Sequence, residues 1–209
     1  LSIASDIVPI TGENRILAFF GLKQLNSNPS TGVKAIIEVC GLKDREITIS
    51  DIVFKIGPRI NASGRMKLAT EAVELMVSRD YNFAYERSGT INEYNNDRKD
   101  LDKNITDDAI AMIRLDESYA ERKSIVVYKP DWHKGVIGIV ASRLAEEYYK
   151  PSVVLTESNG FASGSARSVL GFDLYKAVES CKDLLENFGG HMYAAGLTMK
   201  TENVDEFSR

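Results

Sequence analysis

Three stretches of this chain gather residue types that hold anions. In DWHKGVIGIV, residues 131–140, His133 and Lys134 stand where a strand gives way to a helix, beside the first backbone N–H groups of that helix. Gly135 and Gly138 permit a close approach, yet the spacing matches neither a Walker loop nor a dinucleotide fingerprint. Phosphate binding and a Trp–His pair packed at a strand end are both open here. In GFASGSARSV, residues 160–169, Arg167 is the only charge and is flanked by Ser165 and Ser168. A guanidinium fork donates two parallel hydrogen bonds and hydroxyls supply the rest, so this is a phosphate cradle or else an edge strand with a surface arginine. In FGGHMYAAG, residues 188–196, Gly189 and Gly190 precede His191, which suggests a backbone that must come close to another strand or to a ligand.

A fourth stretch, GPRINASGRM at 57–66, holds Arg59, Asn61 and Arg65 among Gly57, Pro58 and Gly64, and its punctuation argues against ordinary helix or strand. Arg65 could also cap preceding carbonyls or pair with an acid. Other chemistries find less. No GxSxG elbow occurs, and neither Cys40 nor Cys181 has a histidine near it in sequence. Both cysteines fall on apolar stripes and read as buried free thiols. Asp6 is the odd member of an apolar run and could ligate a hard ion, but no neighbouring carboxylate or histidine pair completes a metal site.

These groups must be positioned by a chain of 209 residues, 44% hydrophobic and 27% charged, the composition of an ordinary soluble protein of one large or two small domains. No run approaches the ~20 apolar residues of a membrane span, and the first ten residues lack the pattern of a signal peptide, so the reading is cytoplasmic, with no membrane partner. A net charge of −4 argues against coating nucleic acid by bulk electrostatics. Any nucleic-acid site must be local, and 51–67 is a basic patch while 80–122 is rich in acid.

The patterning is α/β. A buried strand is expected at 2–8 and helices at 13–25 and 32–40. Thr48 and Asp51 form a capping box that opens a short helix into Gly57, with GPRINASGRM a loop before a helix at 67–79. A long polar run with a thin stripe of Leu101, Ile105, Ala109 and Met112 reads as a connector between domains. A strand at 124–128, a helix at 136–148 and a strand at 152–155 imply a parallel crossover. The strongest amphipathic pattern then predicts a helix from Asp173 to about Asn187.

In this order, SIASDIVPITGENRIL, IGPRINASGRM, WHKGVIGIVASRL and GGHMYAAG resemble the RecJ family of single-stranded-DNA exonucleases, members of the DHH phosphoesterase superfamily. Lys134 stands where a proline is common and Ala166 where a glycine is common; neither removes a functional group. The Asp–His–His motif behind the superfamily name is not in this sequence. The resemblance therefore implies the C-terminal part of a DHH domain at 1–87, a connecting helix at 88–116 and a DHHA1 domain at 117–209, with a mixed sheet flanked by helices.

It also implies hydrolysis of phosphodiesters from the 5′ end of single-stranded DNA, in repair and recombination, by two Mn²⁺ or Mg²⁺ ions in the intact enzyme. Asp6 matches a metal ligand, and the fragment alone would be inactive, holding no ion stably. Arg167 and Ser165 would clamp the terminal 5′-phosphate, His191 behind Gly189 and Gly190 would lie against the substrate backbone, and His133 would stand near it. Arg59, Asn61 and Arg65 would donate to phosphates from the DHH side of the same cleft, Arg59 as a catalytic group as well. A face left bare around residues 1–10 would let two copies pair. The alternatives are a binding module for single-stranded nucleic acid or nucleotides, and a DHH phosphoesterase acting on short oligoribonucleotides.

Overall fold

Thr48 and Asp51 cap each other as the sequence predicts: the Thr48 hydroxyl accepts the Asp51 N–H at 3.3 Å, and the Asp51 carboxylate accepts the Thr48 N–H at 3.1 Å. The carboxylate also pairs with Lys55 at 3.1 Å and with Arg45. The backbone N–H of Thr48, with Lys55, Thr48 and Arg45 after it, holds this buried carboxyl well below the usual carboxylate range. From this cap the chain runs without a break through α4 (Ile49–Asp51), a π-helical turn (Ile52–Ile56) and α5 (Gly57–Met66).

The structure is a computed structural model that describes residues 1–5 and 8–209, and the chain divides into two units, Leu1–Arg98 and Lys99–Arg209. The first unit also holds α1 (Ser2–Ser5), α2 (Gly12–Ser27), α3 (Thr31–Val39), α6 (Thr70–Val77) and the start of α7 (Tyr81–Leu115). Its core is built on Ile36, Leu42, Ile56, Leu75 and Ile91, all fully buried. Gly32 makes the contact between α3 and α6 possible, because a Cβ there would lie 1.8 Å from the Leu75 carbonyl oxygen.

Two sequence expectations fail in this unit. Residues 2–5 are helix, not strand: the Ala4 and Ser5 N–H groups close a turn on the Leu1 carbonyl, and a short apolar run does not distinguish the two states. Asp6, the expected metal ligand, lies outside the described residues. GPRINASGRM is helix, not loop. Pro58 is the second residue of α5, directly after the π-helical turn, and Gly57 is there for packing, since a Cβ would lie 2.7 Å from the Ser5 hydroxyl.

In the second unit a five-stranded sheet has the order β1-β2-β3-β5-β4, built from β1 (Ile125–Tyr128), β2 (Ser152–Ser158), β3 (Phe161–Arg167), β4 (Leu185–His191) and β5 (Ala194–Met199). The β1–β2 pair is parallel and is joined by α8 (Ile137–Tyr148), the expected crossover, while the other pairs are antiparallel. One face buries Val153, Leu155, Ala162, Ala166, Ala195, Leu197 and Met199 together with Leu174 and Val178 of α9 (Leu174–Ser180) and Val204 of α10 (Val204–Phe207). On the other face α8 covers β2 and β3. The later part of α7 buries Ile105, Ala109 and Ile113, and in the same stripe Asp102, whose carboxylate takes a bidentate pair from Arg143 of α8 at 2.8 and 2.7 Å.

The predicted helix at 173–187 stops at Ser180. Leu184 closes a short turn and Leu185 opens β4 opposite Met199, so strand pairing overrides a helical period that the sequence carries past the true end. Cys40 and Cys181 are free as expected, but only half-buried, and burial pushes the Cys40 thiol up.

Candidate nucleic-acid interface

Antiparallel register places directly opposed residues on one face of a sheet, and every second residue of each strand joins them. Across β3, β5 and β4 this aligns Ser163 with Thr198 and Asn187, Ser165 with Gly196 and Gly189, and Arg167 with Ala194 and His191. The face thus carries hydroxyls, an amide, a guanidinium and an imidazole over a floor of glycine and alanine. It is the face that α8 leaves open beyond β3. A cavity of about 340 Å³ lies on it, lined by Lys134, Ser163, Asn187, Gly189, Gly196 and Thr198.

Three features fix this surface. The Arg167 guanidinium folds back along its own strand, donating from Nη1 to the Ser165 hydroxyl at 2.9 Å and to the Ala166 carbonyl at 2.8 Å. The second residue of α8 is Gly138, where a Cβ would lie 3.0 Å from Ser165 Oγ and 3.1 Å from Arg167 Nη2, so the start of α8 lies against both groups and a side chain there would press on them. The positive end of the α8 dipole is therefore beside the serine and arginine. Gly190 has φ +150° and turns its Cα toward β5, where a Cβ would fall 2.2 Å from the Ala194 carbonyl oxygen. That is the close approach to a strand left open by the sequence.

His133 belongs to the loop that feeds α8. Its Nδ1 accepts the Gly135 N–H at 3.2 Å, which orients the ring. The loop is anchored by the Thr156 hydroxyl, which donates to the Trp132 carbonyl at 2.6 Å, and by Asp108 of α7, which accepts from Lys129 at 2.6 Å and from the buried Trp132 indole at 2.9 Å. Lys129 first, then Trp132, holds the Asp108 carboxyl below its ordinary range.

The first unit's candidates sit on α5. Arg59 is half-buried, donating from Nε to Asn92 of α7 at 2.9 Å and from Nη1 to the Lys55 carbonyl at 2.8 Å, so much of its donor capacity is committed to holding the helix. Asn61 and Arg65, four residues apart, share an exposed face. Among the described residues no group of three or more His, Cys, Asp or Glu side chains could hold a metal ion. The described donor set therefore does not fit a two-metal centre.

Residues 121–209 match the model of the DHHA1 domain. The single-stranded-DNA-specific exonuclease RecJ of Bacillus subtilis is 39% identical over 97% of this chain, which covers 26% of that protein. Crystal structures of RecJ from Thermus thermophilus in complex with Mg²⁺ and with Mn²⁺ superpose with a TM-score of 0.86 over 98% of this chain at 30% identity. Nearly the whole chain is similar in sequence and in structure to part of RecJ. It spans about a quarter to a third of the length of these RecJ proteins. RecJ homology accounts for both units: a mixed sheet flanked by helices in the DHHA1 domain, and a helical DHH-like part before it.

Sequence reasoning singled out Ser165, Arg167, Gly189, Gly190 and His191, and the sheet brings them together on β3 and β4. It missed Ser163, Asn187, Gly196, Thr198 and the role of Gly138. The signal was present as alternation: Ser163, Ser165 and Arg167 fall at every second position of FASGSAR, as do Ala194, Gly196 and Thr198 of AAGLTM.

Proposed function

We propose that this chain is the C-terminal part of the catalytic core of a RecJ-type exonuclease, which hydrolyses single-stranded DNA from its 5′ end in repair and recombination. Residues 1–87 would be the tail of the DHH domain, 88–116 the connecting helix and 117–209 the DHHA1 domain. The observation that carries the reading is the open sheet face with its arginine, histidine and hydroxyls over glycine, in a chain homologous to RecJ along nearly its whole length. Arg167 and Ser165 take the terminal 5′-phosphate through charge-assisted hydrogen bonds, aided by the start of α8. His191, Gly189, Gly190 and His133 follow the next stretch of backbone. Asn61 and Arg65, with Arg59 fixing α5, form a second phosphate-binding surface on the first unit.

Two Mg²⁺ or Mn²⁺ ions would supply the activated water and neutralise the leaving oxygen. Asp6 would be one ligand, with the rest supplied by sequence this chain does not span. The chain by itself then binds single-stranded DNA without cleaving it. The apolar groove of about 450 Å³ lined by Ile3, Ala4, Val8, Ile10, Phe19 and Val53 is the face through which two copies would pair, and the exposed Leu17, Phe20 and Phe54 add to the apolar surface of the same unit.

The test is binding of the chain to a fluorescent single-stranded oligonucleotide with and without a 5′-phosphate at fixed salt. Tighter binding of the phosphorylated strand, lost in Arg167→Ala, is expected. Equal binding of both strands, or an unaffected variant, removes the 5′-phosphate from this surface.

A further inference from the structure

The β4–β5 turn is made of the wrong residues for a turn. Two-residue hairpin connections favour Asn-Gly, Asp-Gly or Gly-X, because their central positions take positive φ. Here the two residues are Met192 and Tyr193, neither of which has positive φ, and both are exposed, at 41% and 51%. Turn geometry gains nothing from two bulky apolar side chains.

Their neighbours are of the same kind. The loop from Ser168 to Asp173 is bonded to this turn at both ends, the Ser168 N–H donating to the Tyr193 carbonyl at 2.9 Å and the Leu174 N–H to the Met192 carbonyl at 3.1 Å. Within it the Ser168 hydroxyl donates to the Phe172 carbonyl at 2.7 Å, and Leu170 and Phe172 are exposed at 83% and 39%. The loop's carboxylate, Asp173, is engaged by the Lys176 N–H at 3.2 Å and the Lys176 ammonium at 3.5 Å. An exposed apolar rim of Leu170, Phe172, Met192 and Tyr193 thus stands at the end of the sheet where Arg167, Ala194 and His191 form a row. Tyr193 meets the His191 ring edge to face at a centroid distance of 6.1 Å, and its N–H donates to His191 Nδ1 at 3.2 Å.

We propose that the Met192–Tyr193 turn, with Leu170 and Phe172, is a stacking platform for an unpaired nucleobase at the end of the arginine–histidine row. A ligand that suits both surfaces must carry an anion on a short tether from a flat apolar ring, which is the chemistry of a nucleotide in a single strand. Every base offers a π-face, so the contact is tolerant of sequence. Tyrosine gives large contact area at low conformational cost. The proposal rests on the reading of the row as a phosphate site and adds the base to it.

The experiment compares a 5′-phosphorylated oligothymidylate with a strand of equal length and phosphates whose first residues are abasic, using the 209-residue chain, Tyr193→Ala, Tyr193→Phe and Arg167→Ala. Stacking is worth ~1–3 kcal/mol per base, so the wild-type chain should prefer the base-bearing strand by roughly 5- to 150-fold. Tyr193→Ala should abolish that preference and Tyr193→Phe keep it. The Tyr193 variants should melt with the wild type, because the hydrogen bonds of Tyr193 are made by its backbone. Equal binding of both strands by the wild type, or a preference that survives in Tyr193→Ala, overturns the platform. If binding depends on Arg167 but not on the bases, the platform alone fails; if Arg167→Ala changes nothing, the phosphate reading fails with it.

Discussion

Gly138→Ala separates the stability of the DHHA1 unit from the working position of Arg167. The new methyl would enter at 3.0 Å from Ser165 Oγ and 3.1 Å from Arg167 Nη2, against 3.6 Å from Ser165 Cβ. The two tight contacts are with a rotatable hydroxyl and the end of a flexible side chain, so each yields by a few tenths of an ångström. Displacing them costs about 0.5–1.5 kcal/mol in rotamer strain. In compensation alanine is worth up to ~1 kcal/mol over glycine within a helix, less in the first turn. The melting temperature should therefore stay within a few degrees of wild type. Binding should not: hydrogen bonds to charged groups contribute ~1.5–3 kcal/mol, and a guanidinium pushed off its line loses much of that, about tenfold in affinity for a 5′-phosphorylated strand. Arg167→Ala sets the upper limit of the loss. If the methyl acts only through the arginine, the double variant binds no worse than Arg167→Ala alone. Fluorescence anisotropy at one fixed salt concentration, beside thermal melts, reads all of this. Wild-type affinity in a stably folded Gly138→Ala would refute the reasoning, as would an additive double variant.

Gly190→Ala should cost on the order of 3 kcal/mol of stability, since φ +150° disfavours any side chain and the Cβ would meet backbone of Ala194 and Ala195 that cannot swing away; an unchanged urea midpoint would contradict it. Asp51 predicts a pH dependence. Its carboxyl is depressed in the folded chain, so the stability it contributes is present above the unfolded value near 3.8 and is lost as pH falls toward the folded one. The stability gap between wild type and Asp51→Asn should be full at pH 7 and narrower at about pH 2.5. A gap independent of pH would mean that the Thr48 cap and the Arg45 and Lys55 pairs do not hold the charge.

Legibility followed the range of the interactions. The Thr48–Asp51 capping box and the strand–helix–strand crossover were readable because both ends of each signal lie within a few residues or one short unit. The helix predicted at 173–187 failed where a long-range partner decided: nothing near Leu185 announces that Met199 pairs with it. Asp102 was passed over because a carboxylate in an apolar stripe looks like an interruption until Arg143, far along the chain, is seen to close on it.

The glycines show the same limit from another side. Read locally, Gly57, Gly64 and Pro58 mark a break, and the inference of a loop follows. The structure gives Gly57 another cause: its missing Cβ admits Ser5, and the helix continues through it. Gly138 and Gly190 are likewise sites of close approach, one by a serine and an arginine and one by a strand. At these three positions the glycine signals that something must come near, but not what. The polar alternation of FASGSAR and AAGLTM names the face on which to look, because small and hydrogen-bonding residues at every second position leave a sheet open to a ligand where a core would need bulk.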